Sequence, residues 1–210
     1  RYVRQFAEQG VRGILVTPMV STPDRLRELA TFGIPSVLID SRSDTHASVG
    51  GDHVGGGRLA LEHLLAQGHR HIVFLNADKH LQQSRHRLRG AVEAITAAGL
   101  DPGTVLQVVN LSQPTASEGE RALIKLLEGP EPRPTALFCI NDIVALGVIR
   151  GLRTRGLRIP QDVAVVGYDD LYWASELMTP LTSVRQPMRQ IGSAAADLLL
   201  RDPLGARHTL

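Results

Sequence analysis

The sequence has few of the residues that carry covalent, redox or metal chemistry. Its single cysteine, Cys139, excludes a disulfide within the chain, and its place in the apolar run ALFCI predicts a buried thiol. None of the eight histidines stands in H-E-x-x-H or a comparable metal-ligand spacing, and there is no G-x-S-x-G motif. We therefore expect a protein that is not an enzyme and holds no cofactor or metal.

Long apolar runs and aromatic side chains are also scarce. No apolar run approaches the roughly 20 residues that cross a membrane, and the opening stretch RYVRQFAEQG lacks the apolar core of a signal peptide. Aromatic residues make up 4% of the chain, too few for a platform that stacks single-stranded nucleic acid. The net charge is only +2, and the arginines are scattered along the chain. These features predict a soluble, cytoplasmic protein without a membrane partner.

Short apolar runs alternate with longer amphipathic stretches along the whole chain. The apolar runs are GILVT, SVLID, HIVFLNAD, VLQVVNL, TALFCIND and VAVVGYDD. Glycine stands where each of four helices would end in a left-handed cap: Gly68, Gly99, Gly129 and Gly156. Each repeating unit of one strand, one loop and one helix spans about 30 residues in all, the size of a right-handed parallel crossover. The pattern predicts an α/β fold with parallel sheets, and the open edge left by GILVT leads us to expect further strands before residue 1.

A glycine-rich stretch, GGDHVGGGRLA, contains a literal match to the dinucleotide fingerprint G-x-G-x-x-G/A. The match runs from Gly55 to Ala60, and Asp78 follows at about the distance of a ribose-binding acid. In that fingerprint a buried strand delivers the glycines to a helix, yet residues 41–48, SRSDTHAS, are polar and turn-like. We therefore favour a glycine-rich helix start over a nucleotide loop.

Polar side chains close three of the apolar runs. They are Asp40, the pair Asn141 and Asp142, and the pair Asp169 and Asp170. Ligands of open parallel sheets bind beyond the carboxyl ends of the strands, but Asn and Asp are also preferred helix caps. We prefer the cap for Asp142 and Asp170, whereas the joint pattern favours a binding site for the other three. Because Asp169 and Asp170 are adjacent, they should diverge rather than act as an acid–base pair.

Arginine adds a further group to these strand ends. Arg85, Arg87 and Arg89 alternate where a helix begins, so two should face water and one could reach the binding site. A guanidinium opposite carboxylates suits a polyhydroxylated or anionic small ligand, because paired hydrogen bonds fix its orientation. The residues thus predict a binding site without identifying its ligand.

Six stretches, in order over essentially the whole chain, resemble the effector-binding region of the lactose-repressor family. They are IPSVLID, GRLALEHLLAQGHRHI, RHRLRGAVEAI, PTALFCINDIVALGVIRGL, IPQDVAVVGYDD and PLTSVRQPMRQIGSAAADLLL. The resemblance implies a type I periplasmic-binding-protein fold of two Rossmann-like lobes that close on a small molecule. It implies an incomplete first lobe from residues 1–51 and 188–210 and a second lobe from 52–187, which opens with the glycine-rich helix.

The resemblance also implies a set of ligand-binding residues. Arg85, Asn141 and Asp169 match the family's ligand-contacting residues, and Asp40 matches a residue of the first lobe. Trp173, Met188 and Pro114 complete the predicted set. Pro114 and Met188 stand where the family often has aromatic residues, and a usual Asp-Asn pair reads Asp52-His53. These departures leave the ligand class open, although the polar contacts typical of sugar binding are kept.

The function implied by the resemblance is effector sensing by a transcriptional regulator. The effector would be a small molecule, with a sugar favoured, and closure of the lobes would change the DNA affinity of a full-length homodimer. Operator DNA would be bound by a helix-turn-helix that this chain lacks. A sugar-binding protein of transport or chemotaxis with the same fold is the alternative. The sequence upstream distinguishes them, since a helix-turn-helix indicates a regulator and a secretory peptide indicates transport.

Overall fold

A computed structural model of the chain describes residues 2–18, 22–129 and 133–201. In chain order its elements are α1 (Tyr2–Glu8), β1 (Ile14–Val16), α2 (Thr22–Thr31), β2 (Ser36–Ile39), β3 (Ser48–Val49), α3 (His53–Ala66), β4 (Ile72–Asn76), α4 (Gln82–Ala97), α5 (Pro102–Val105), β5 (Leu106–Asn110), α6 (Ala116–Glu128), β6 (Ala136–Cys139), α7 (Asp142–Thr154), β7 (Ala164–Asp169), a 3-10 turn (Ala174–Glu176), β8 (Thr182–Arg185) and α8 (Met188–Arg201). All strand pairs are parallel, which confirms the predicted α/β fold.

The chain divides into two compact units. The first lies within Arg1–Asp52 and Pro187–Leu210, and the second is His53–Gln186. In the first unit a three-stranded sheet has the order β1-β2-β3. Val37 and Val49 of this sheet are buried against Ile191 and Ala195 of α8. The apolar stripe of α8 therefore completes the core of this unit although it lies far from the strands in sequence.

The second unit is built around a five-stranded sheet of order β5-β4-β6-β7-β8. Strands β4 and β6 are buried along their whole length, as expected for central strands covered on both faces. Phe74 and Phe138 stack in the middle of the sheet with ring centroids 4.4 Å apart. Because the strands are parallel, β6 and β7 both end at the same edge of the sheet, where the polar residues of the sequence follow.

The glycine-rich stretch forms the start of α3 and serves close helix packing. A methyl group added to Gly57 would lie 2.0 Å from the carbonyl oxygen of Arg87, and one added to Gly90 would lie 1.8 Å from that of Val54. Helices α3 and α4 thus approach each other more closely than any larger residue would allow. Gly56 and Gly57 are buried there, so their backbone is covered by protein and cannot cradle a phosphate. The preferred interpretation of this motif as a helix start is confirmed.

Glycine caps and apolar runs in the sequence predict some of the helix ends and strands correctly, but not all. Gly68, Gly99 and Gly156 have φ values of +88°, +72° and +70°, as predicted for left-handed caps. The same prediction for Gly129 is wrong, because this residue ends α6 with φ −74°. Strands β3 and β8 lack the apolar runs that identify the other strands: β3 has two residues, and β8 is exposed at both ends.

The predicted buried thiol is confirmed. Cys139 lies buried in β6, and burial raises the pKa of its thiol far above the ordinary range. The thiolate, which is the reactive form of cysteine, is therefore not populated in the native protein. Within the described residues, no helix combines the length and apolarity needed to span a bilayer.

We predict that Gly90→Ala destabilises the second unit, because its new methyl group would force α3 away from α4. Overpacking of this kind costs about 1–3 kcal/mol of unfolding free energy. Gly103→Ala in α5 is the matched control, since its methyl group would lie 3.4 Å or more from its neighbours. Chemical denaturation followed by circular dichroism measures both variants. Equal stability of the two would contradict the packing role assigned to Gly90.

Candidate functional site

Three aspartates at strand ends have backbone conformations that non-glycine residues rarely adopt. Asp40 follows β2 with φ +56°, whereas Asp169, the last residue of β7, and Asp170 after it have φ values of +105° and +54°. Within the described ranges no other non-glycine residue has positive φ. Such conformations cost of order 1–3 kcal/mol each and tend to occur at functional sites. Contacts around these residues must therefore hold the strand ends in place.

The second unit gathers five polar or aromatic side chains at the end of β7, which we call the strand-end cluster. Its members are His53 at the start of α3, Arg87 in α4, Tyr168 and Asp169 at the end of β7, and Gln186 just after β8. Four of the five are almost completely buried, and the side chain of Asp169 keeps 24% of its surface exposed. A ligand approaching this edge of the sheet would therefore meet the carboxylate of Asp169 first.

Arg87 lies at the centre of the strand-end cluster. Its Nη1 donates a hydrogen bond to the carbonyl oxygen of Ile140, the residue that follows β6. Its guanidinium carbon lies 3.5 Å from the centre of the Tyr168 ring, a cation–π contact in a desolvated setting. Nη2 lies 3.4 Å from Nδ1 of His53 and 4.0 Å from Oδ1 of Asp169. Because a guanidinium can only donate, Nδ1 of His53 is the acceptor in that pair.

Of the three alternating arginines, the structure brings Arg87 to Asp169. Arg85 is exposed, and its Nη1 donates to the carbonyl oxygen of His80 at 2.6 Å. Arg85 and Arg89 are four residues apart on the outer face of α4, whereas Arg87 follows the buried stripe of the helix. The small residues Gly90 and Ala91, three and four positions after Arg87, are the signal in the sequence that marks this stripe. Ligand contact by Arg85 stays a prediction.

Asp169 is held by Gln186, a residue that no pattern in the sequence singles out. Its Oδ1 accepts a hydrogen bond of 2.8 Å from Nε2 of Gln186. Among the described residues, neither Nε of Arg87 nor Oε1 of Gln186 has a hydrogen-bond partner, although both atoms are buried. Unsatisfied buried polar atoms cost free energy, and hydroxyl groups of a ligand can both donate and accept. The cluster therefore offers unused hydrogen-bonding capacity of both kinds.

After β6, one residue, Asn141, is both a helix cap and a predicted ligand contact. Oδ1 of Asn141 accepts from the backbone N–H of Val144 at 2.9 Å and so caps α7. The preferred interpretation of Asp142 and Asp170 as caps is wrong. Asp142 bonds instead to groups outside its helix, and Asp170 pairs with Arg185. Asn141 fills the N-cap position of α7, so the side chain of Asp142 is available for another role.

The remaining predicted ligand-binding residues lie in different places. Trp173 is half-buried against the core of the second unit, and Pro114 is exposed just before α6. Met188, the first residue of α8 and 53% exposed, belongs to the first unit, as does the half-buried Asp40. A role in ligand binding stays a prediction for these four residues and for Asn141.

The chemistry of the strand-end cluster suits an uncharged polar ligand better than a metal ion. Among the residues that the structure describes, no three His, Cys, Asp or Glu side chains come together as a metal-binding group. The cluster combines one carboxylate with one guanidinium, so their formal charges cancel and the cluster offers a ligand both acceptors and donors. A neutral molecule with several hydroxyl groups could pair with both.

Comparison with known proteins gives a consistent family assignment. Residues 61–207 match the periplasmic binding protein-like domain. The chain is 34% identical over 203 residues to the HTH-type transcriptional repressor PurR of Haemophilus influenzae (strain PittEE). This match covers 95% of the chain and 59% of the repressor, so the chain spans about three fifths of that relative's length.

Solved structures agree with this assignment over nearly the whole chain. A regulatory protein of the LacI family from Chloroflexus aggregans superposes with a TM-score of 0.82 at 31% identity, covering 99% of this chain and 74% of that one. A LacI family transcriptional regulator from Enterococcus faecium with bound ribose gives a TM-score of 0.87 at 27% identity, with coverages of 99% and 78%.

We predict that Arg87→Lys lowers the stability of the protein more than Arg85→Lys. Lysine keeps the charge but loses the planar group that stacks on Tyr168 and bonds to Ile140, which should cost about 1–3 kcal/mol. The same change at the exposed Arg85 should alter stability by less than about 0.5 kcal/mol. Guanidinium chloride denaturation compares the two variants. A greater loss for Arg85→Lys would contradict the central role of Arg87.

Proposed function

The chain belongs to the periplasmic binding protein-like domain family, within the LacI group of regulators, and on this basis we propose that it is the effector-binding part of a transcriptional repressor. The observation that carries the proposal is the strand-end cluster, in which Arg87, Asp169 and Gln186 combine donors and acceptors at the carboxyl edge of a parallel sheet. This edge is where open α/β sheets bind small molecules.

We propose a sugar as the effector. A sugar hydroxyl can donate to Asp169 or Gln186 while accepting from Arg87, so one ligand satisfies groups of both kinds. The related Enterococcus faecium regulator was solved with bound ribose, which supports this class. Asp40, Arg85 and Asn141 are proposed as further contacts, with Trp173, Met188 and Pro114 as candidates for the surroundings of the ligand.

We also propose that effector binding changes the affinity of the longer protein for operator DNA. The Haemophilus influenzae relative is an HTH-type repressor, and 41% of its length lies outside the match, by subtraction of the 59% that is covered. Coupling of this kind requires that the effector bind two states of the protein with different affinity. A repressor that binds operator DNA in a bacterium acts in the cytoplasm, which is the location we propose.

A homodimer is the proposed assembly, since two-fold dimers are the commonest closed oligomers. The second unit exposes apolar side chains that a partner could cover: Tyr172 and Met178 are each 83% exposed. Ile143, 44% exposed, stands next to Asp142, whose side chain bonds to the backbone N–H of Leu171 beside Tyr172. Exposed apolar side chains are the kind of surface that a partner covers, and we propose that Tyr172 belongs to the dimer interface.

Asp169→Ala should lower the affinity for the effector by about tenfold to a hundredfold, because the variant removes an acceptor and leaves Arg87 and a ligand hydroxyl unpaired. Calorimetric titration with a panel of sugars and nucleosides first identifies a ligand, and fluorescence of Trp173, the one tryptophan, offers a second readout. The variant is then titrated with that ligand.

Asp101→Ala serves as the matched control for this experiment. Asp101 is also an aspartate after a loop, but it caps α5 before β5, at the opposite edge of the same sheet. Its replacement should leave the affinity unchanged. Failure of every sugar and nucleoside to bind the wild-type protein would refute the proposed ligand class, and unchanged affinity in Asp169→Ala would remove the cluster from the binding site.

For the dimer, we predict that Tyr172→Asp in the longer protein shifts the equilibrium toward monomer at micromolar concentration. The new carboxylate would have to be desolvated inside an apolar interface, where unpaired charges are strongly disfavoured. Sedimentation velocity measures the shift. Gln107→Glu, an exposed charge-changing substitution on β5, is the control, and a variant as dimeric as the wild type would show that the interface lies elsewhere.

A further inference from the structure

Asp142 is an acidic side chain in the interior of the second unit, and it reaches the strand-end cluster through a hydrogen bond from the backbone of Tyr168. It is the first residue of α7 and is 0% exposed. Its Oδ1 accepts a hydrogen bond of 2.6 Å from the hydroxyl of Ser183, and its Oδ2 accepts one of 2.8 Å from the backbone N–H of Leu171. Both donors lie outside α7, so the carboxylate ties the start of this helix to β8 and to the turn after β7.

Ser183 extends this connection to the residue beside Asp169. Its Oγ donates to Asp142 and accepts a hydrogen bond of 3.0 Å from the backbone N–H of Asp170. One carboxylate thereby fixes the backbone at two successive residues, Asp170 through Ser183 and Leu171 directly. These two residues follow Asp169 immediately, and the first of them, Asp170, has positive φ as Asp169 does.

Gly167 in β7 leaves space for the Asp142 carboxylate, because it has no side chain. A methyl group added to Gly167 in β7 would lie 2.2 Å from Oδ1 of Asp142 and 2.9 Å from Leu181. Any larger residue would push the carboxylate away from Ser183. The glycine two residues before Asp169 is therefore part of the same arrangement.

Stability alone does not account for an acid at this position. Burial raises the pKa of Asp142, and the hydrogen bonds from the Ser183 hydroxyl and from the backbone of Leu171 and Tyr168 oppose that shift only in part. Its charged form is thus disfavoured by the fold, and such buried charges are weak contributors to stability. The strained backbone that the carboxylate holds adds a further cost of order 1–3 kcal/mol per residue in similar cases.

We propose that Asp142 is a positioning residue for ligand binding, which holds the turn Asp169–Leu171 so that the Asp169 carboxylate points at Gln186 and Arg87. The proposal rests on the proposed function in one respect, that Asp169 contacts the effector. Ser183 and Gly167 act through Asp142, by bonding to its carboxylate and by leaving space for it.

The test uses Ser183→Ala and Asp142→Asn, with Ser175→Ala as the matched control. Ser175 is an exposed serine of the same segment, and its hydroxyl bonds to the carbonyl oxygen of Tyr172 rather than to Asp142. Amide hydrogen exchange, measured by nuclear magnetic resonance without ligand, should become at least about tenfold faster at Asp170 and Leu171 in the first two variants. In Ser175→Ala, the amides of Asp170 and Leu171 should exchange at the wild-type rate.

The second measurement is affinity for the sugar or nucleoside that the wild-type protein binds. Ser183→Ala and Asp142→Asn should each weaken binding by about threefold to tenfold, the usual effect of one lost hydrogen bond. Ile95→Val, a core change away from the turn, separates positioning from general destabilisation. It should lower the denaturation midpoint while leaving both the exchange at Asp170 and the affinity unchanged.

The two readouts keep this proposal distinct from the proposed function. A wild-type protein that binds none of the probes refutes the proposed function, while hydrogen exchange still decides whether Asp142 holds the turn. Wild-type exchange rates at Asp170 and Leu171 in Ser183→Ala and Asp142→Asn would overturn the proposal. Faster exchange with unchanged affinity would overturn it as well, because the turn would then not position a ligand contact.

Discussion

Burial of the Arg87 guanidinium is the constraint on which the second unit depends. A buried arginine needs partners that replace water, and this one obtains them from three elements: the Ile140 carbonyl after β6, the Tyr168 ring of β7 and Nδ1 of His53 in α3. Those partners can meet only because α3 and α4 lie in close contact. The glycines of α3 and Gly90 of α4 permit that contact, and a methyl group on Gly56 would lie 2.1 Å from the Tyr168 hydroxyl.

This arrangement leaves the strand-end cluster incomplete in a way that fits ligand binding. The apolar core beneath it is closely packed around Phe74, Phe138 and Leu137, none of which is exposed. Above that core, buried polar atoms of Arg87 and Gln186 keep unused hydrogen-bonding capacity within the described residues. Binding sites often give up local stability for interactions that only the ligand completes. The core supplies the stability, and the strand ends carry the groups that we propose for ligand recognition.

Much of the fold follows from local patterns in the sequence. Parallel strands are marked by apolar runs such as SVLID and VAVVGYDD, and three of four glycine caps have the expected positive φ. The Asp, Asn and Arg residues near strand ends also predict that polar side chains gather at one edge of the second sheet, because parallel strands all end on one side. Gly129 shows the limit of such rules, since a glycine permits a left-handed conformation without requiring it.

The sequence by itself determined the fold class, the family resemblance and the place of Asp169 at a strand end, since periodicity and strand-end position are local properties of the chain. The tertiary structure determined which side chains contact Asp169 and the turn after it. Arg87 rather than Arg85 lies beside Asp169, because the contact between α4 and α3 determines which face of α4 is buried. Gln186 and Asp142 act across 17 and 29 residues of sequence, to Asp169 and Leu171 respectively. Such pairings depend on how strands and helices pack in space, which no local pattern of residues encodes.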